Sequence, residues 1–169
     1  MKQLFMMILS LLVINSCYAV EKASEKRLDE VAQRGVHVMP FDLELTTHVF
    51  SKTAKGGVQK VIVNNLENTD QIRLIREHLT KVSDEFQQAN YSDPAKIHGE
   101  NMPGLDMLRN AKAGQVSILY KNLPNGAGIT YVTDKATLIT AIHQWFDAQL
   151  SDHARHAISG HSHHKVHHK

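Results

Sequence analysis

The sequence predicts an α+β fold: one antiparallel sheet built from two β-hairpins, with two long helices on one face. Three observations carry this. Strand-like pairs flank Gly-rich turns at two places, each pair is followed by a helix-period apolar stripe, and 169 residues suffice for one ordinary domain but not two.

Taken in order, residues 21–34 (EKASEKRLDEVAQR) are polar, with apolar positions only at Ala23, Leu28, Val31 and Ala32. They read as a short surface helix ended by Gly35. Residues 43–53 (LELTTHVFSKT) and 58–63 (VQKVIV) are strands around the turn Ala54-Lys55-Gly56-Gly57. Asn68-Thr69-Asp70 is a helix-start signal, and Ile72, Ile75, Leu79, Val82 and Phe86 then recur at steps of three and four until Asn90–Pro94 breaks the pattern. In the second half, residues 115–121 and 128–133 are strand-like around Pro124-Asn125-Gly126. Asp134 is placed to cap a last helix whose stripe is Leu138, Ile139, Ile142, Trp145, Phe146 and Leu150. Strand, strand, helix occurs twice, an order that suits an internal ββα duplication. Between the halves, Asp93-Pro94 suits the start of a short helix and Met102-Pro103-Gly104 a turn into another.

The ends have different chemistry. Lys2 precedes an apolar run from Leu4 to Ile14, and small residues follow, so residues 1–19 read as a secretory signal peptide cleaved after Ala19. The run is too short for a retained transmembrane span. A lipoprotein acylated at Cys17 is the competing reading. Residues 20–158 then form the single domain, and 159–169 a disordered His-rich tail. The formal charge of +2 becomes +1 once Lys2 leaves, a balance that argues against nucleic acid as a partner. Cys17 is the chain's one cysteine and leaves too, which excludes disulfides and Cys-based metal or redox sites. The expected location is periplasmic or secreted.

Twelve histidines are the main chemical signal. Seven fall among the last seventeen residues: His153, His156, His161, His163, His164, His167 and His168. Imidazole suits zinc, copper and nickel, and a histidine-dense tract offers several donors to one ion. His153 and His156 share a face if the last helix reaches them, and Asp152 is placed as an oxygen ligand or as the acceptor behind a ligating histidine. Inside the domain, His78 and His143 lie beside the stripes of the two long helices, where a hydrogen-bonded core role competes with ligation. His37 with Met39 and His98 with Met102 each pair an imidazole with a thioether before proline in a loop, a combination that suits copper, although anchoring of the loops against the core is the favoured reading of the methionines. No catalytic motif is present: GxSxG, HExxH, the Walker loop and GxGxxG are all missing.

The segments His37-Val-Met-Pro-Phe-Asp42, Thr47-His48-Val49-Phe50, Gly56-Gly57-Val58, Ile97-His98-Gly99, Met102-Pro103-Gly104-Leu105 and His143 to Gln149 leading to Asp152-His153 resemble a family of small secreted bacterial proteins without an established function. Similar proteins often carry the label aspartate carbamoyltransferase, although the Ser-Thr-Arg-Thr-Arg phosphate loop of true carbamoyltransferases is missing here. The expectation is a secreted or periplasmic protein that buffers or delivers a transition metal ion (copper, zinc or nickel). Two other readings fit the same residues: a periplasmic hydrolase or transferase using the loops around His37 and His98, and an envelope interaction protein.

Overall fold

A computed structural model describes residues 20–160. The signal-peptide segment and tail histidines His161, His163, His164, His167 and His168 lie outside the described residues. The element order is α1 (Glu25–Gly35), a 3₁₀ turn (Leu43–Leu45), β1 (Thr46–Thr53), β2 (Gly56–Val63), α2 (Thr69–Gln87), α3 (Ser92–His98), α4 (Leu105–Arg109), β3 (Ser117–Leu123), β4 (Gly126–Val132), α5 (Ala136–Asp152) and β5 (Ala157–Ser159). The fold is α+β, with both hairpins as expected.

The hairpins join through antiparallel pairing of β2 with β4, giving the sheet order β3-β4-β2-β1-β5. Only β5 runs parallel to its neighbour, β1. Alternation along the strands sends Thr46, His48 and Phe50 of β1 inward with Val61 and Val63 of β2 and Ala127, Ile129 and Tyr131 of β4. The helices α2 and α5 cover that face. From α2 come Ile72, Ile75, Leu79, Val82 and Phe86, and from α5 come Leu138, Ala141, Ile142, Trp145 and Phe146, all buried.

Trp145 centres the core, edge-on to Phe86 at 5.7 Å, Tyr91 at 5.9 Å and Tyr131 at 5.5 Å between ring centroids. The short α4 docks against α5 through Gly104, whose φ is 77° and where a Cβ would lie 2.1 Å from the Ala141 carbonyl oxygen. Only glycine fits both the left-handed backbone and this approach.

Several local expectations need correction. The first strand begins at Thr46, because Asp42 accepts from the Glu44 amide at 2.8 Å and starts a 3₁₀ turn instead. Asp134 does not cap α5: Lys135 holds the N-cap position, and the Asp134 carboxylate pairs with Lys55 Nζ at 2.7 Å. Ser159 belongs to β5, and the Gly160 amide donates to the Phe50 carbonyl at 2.8 Å, so the folded chain continues past residue 158.

Candidate histidine centre

Four elements meet at one end of α5. His48 comes from the inward face of β1, His98 is the last residue of α3, and Asp152 and His153 form the last residue and C-cap of α5. Arg27 of α1 closes the group. The side-chain order follows from four contacts. Asp152 accepts from Arg27 Nε at 3.0 Å through Oδ1 and from His98 Nδ1 at 2.8 Å through Oδ2. Arg27 also donates to the His98 carbonyl at 2.7 Å. His98 Nε2 then faces His153 Nε2 at 3.2 Å.

Charge fixes the tautomer. The His98 and Arg27 hydrogen bonds outweigh the burial that opposes them and hold the Asp152 carboxyl at about 2, so it is ionised. An ionised carboxylate can only accept, so His98 carries its proton on Nδ1 and turns a bare Nε2 lone pair toward His153. His98 is the residue pinned by a carboxylate behind it, the arrangement that orients metal-ligating imidazoles and raises their basicity. Two imidazole nitrogens on one tetrahedral ion at about 2.05 Å would stand about 3.3 Å apart, close to the observed edge.

His48 completes the cluster from the other side. Its ring is parallel to that of His153, at 1° and 5.2 Å between centroids. Among the described residues its buried Nδ1 finds no hydrogen-bond partner. Burial lowers the proton affinity of all three imidazoles, taking His48 to about 3 and His153 well below the ordinary value; for His98 the Asp152 hydrogen bond opposes the effect without reversing it. The cluster is therefore neutral near pH 7, the form in which imidazole ligates. Two helices, α3 and α5, also end here, and the partial negative charge of helix C-termini favours a cation. Among the described residues no group of three or more His, Cys, Asp or Glu side chains stands close enough to hold a metal ion, so the preformed element is the His98–His153 pair.

The pair borders two spaces. An inner, partly open cavity of about 50 Å³ is lined by His48, His78, His98 and His153 together with Met39 and Trp145. An outer basin of about 450 Å³ is lined by Arg27, His98, Asp152 and Met102, among others.

The other candidate residues separate. Met39 reaches the internal cavity, whereas His37 lines a different pocket with Arg34 and Lys96, so the two loops do not bring His37 to His98. His78 lines the cavity and packs edge-on against Phe41 at 5.7 Å. His143 lies at the hairpin end of the sheet, where its Nε2 donates to the carbonyls of Thr53 at 3.0 Å and Gly56 at 2.9 Å; it pins a turn and does not pair with His78. His156 leaves the face of His153 and contacts Glu44 Oε1 at 2.8 Å.

Sequence reasoning gave His48 no role, although the alternation Thr46, His48, Phe50 already placed it on the buried side of its strand. Arg27 had no signal at all, since it lies in a polar helix 125 residues before its partner.

No protein-family model, no curated protein and no solved structure matches the chain. No described helix is long and apolar enough to cross a membrane.

Proposed function

We propose that the protein binds a transition metal ion (zinc, copper or nickel) at the His98–His153 pair, for buffering or delivery outside the cytoplasm. The observation that carries this reading is the Nε2 to Nε2 separation of 3.2 Å with Asp152 on the far nitrogen of His98. His48 stacks on His153 and supplies a third imidazole by a side-chain rotation that brings its unpartnered Nδ1 to the ion. Asp152 holds His98 in the ligating tautomer, and Arg27 balances the carboxylate's charge. Met39 borders the same cavity and offers a soft donor that would favour copper. The histidines of residues 161–168 serve as the outer capture tract.

Calorimetric titration tests this in the full chain with the five histidines of residues 161–168 replaced by serine. Such a chain should still bind one ion, and His98→Ala and His153→Ala should each weaken it by about tenfold or more. Affinity unchanged in both variants, or no binding by the serine-substituted chain, would refute the buried centre; the second result would leave only the tail.

A further inference from the structure

Away from the histidine centre, α1, α2 and α3 border an open pocket of about 350 Å³, half of whose lining residues are cationic: Arg34, Lys81 and Lys96, with His37, Val38 and Asp93. One buried carboxylate organises two of the three cations. Asp93 is 8% exposed, and its Oδ2 and Oδ1 each accept from one ammonium, Lys81 and Lys96, at 2.9 Å. A single negative charge thus fixes two positive ones and neutralises one. Arg34 is the third. Its guanidinium makes no hydrogen bond among the described residues, its Nε and Nη2 are buried without partners, and its nearest carboxylate, exposed Glu30, stands 4.0 Å away. Glu85 pairs with Lys81 at 3.2 Å but, like Glu30, is not part of the pocket wall.

We propose that this pocket binds a phosphate-class oxyanion, held between the Arg34 fork and the ammonium groups anchored on Asp93. Three donors of fixed positive charge on different helices suit a dianion with several oxygens, and a guanidinium edge matches two of them at once. Unpaired buried N–H groups are costly, so a ligand that satisfies them has a standing energetic advantage. The side chain of Arg34 is 40% exposed, which leaves it free to turn its fork into the pocket.

The site goes beyond the proposed metal centre but touches it. Val38 and Asp93 line both the basic pocket and the internal cavity.

Titration of the full chain with inorganic phosphate, followed by calorimetry in the presence of a chelator, tests the pocket without metal. Saturable binding is expected, weakened about tenfold by Arg34→Gln and by Lys96→Gln, and unchanged by Lys60→Gln on the opposite face of the sheet. No binding, or binding left unchanged by both Arg34→Gln and Lys96→Gln, would overturn the proposal while leaving the metal reading intact. Circular dichroism of each variant separates lost binding from lost folding. Sedimentation with phosphatidylcholine vesicles containing phosphatidic acid identifies the source: Arg34-dependent sedimentation supports a lipid headgroup, and phosphate binding without it supports a soluble phosphate.

Discussion

Lowering the pH should destabilise the metal-free protein steeply through its buried histidines. His48 and His153 are 4% and 5% exposed, and burial holds His48 at about 3 and His153 well below the ordinary 6.5. Above pH 6.5 these imidazoles are neutral in both folded and unfolded chains and contribute no pH dependence. As the pH falls, the unfolded chain takes up the protons first, so stability drops at about 1.4 kcal/mol per pH unit for each buried imidazole. Between pH 6.5 and 5 that is roughly 2 kcal/mol apiece and about 4 kcal/mol for the pair, a large share of the 5–15 kcal/mol typical of a domain. His98 and His78, also lowered by burial, act in the same direction. Asp152, held at about 2, stays charged across this window and adds no slope. Urea unfolding in chelator at pH 7.5, 6 and 5 measures the effect, and His48→Leu should reduce the slope by about 1.4 kcal/mol per pH unit. A stability that stays flat from pH 7.5 to 5 would refute the premise that these imidazoles are buried and neutral.

Substitutions at three positions test the packing and the charge network. Gly104→Ala combines a φ of 77° with a Cβ 2.1 Å from the Ala141 carbonyl oxygen, so it should cost about 2 kcal/mol or more and lower Tm by about 6 °C in a thermal melt. Trp145 carries a buried Nε1 with no partner among the described residues, so Trp145→Phe sacrifices no hydrogen bond and should cost far less than Trp145→Ala, for which about 3–5 kcal/mol is expected by chemical denaturation. Asp152→Ala strands Arg27 and His98 together and should destabilise by about 3 kcal/mol at pH 7.5, whereas Asp152→Asn, which still accepts a hydrogen bond, should retain part of that.

The elements with strong local periodicity were legible in the sequence. The stripe from Ile72 to Phe86 and the stripe through Ile142, Trp145 and Phe146 give the two covering helices, and Gly56-Gly57 and Asn125-Gly126 give the hairpins. Features decided by distant partners were not. Nothing near Ala157 signals a strand, because β5 exists only by pairing with β1 across more than a hundred residues. Asp134 resembles a helix cap, but Lys55 captures its carboxylate from the other hairpin. The histidine centre divides the same way. Asp152 and His153 announce themselves by adjacency, and Asp152 indeed backs an imidazole, yet that imidazole is His98, whose partnership with α5 only tertiary packing creates. The methionines of the two loops are buried at 6% each, and their anchoring role coexists with Met39 facing the histidine cavity.

The span of the histidine centre along the chain bears on when it can form. Its contacts join Arg27 to Asp152 and His98 to His153, separations of 125 and 55 residues, and the last contributor is a C-cap reached only after the whole of α5. Contacts of such range close late, because the intervening chain must be ordered before they are rewarded. A nascent or truncated chain that stops short of His153 holds His98 without its partner, so competence at this centre arrives with completion of the fold and reports it.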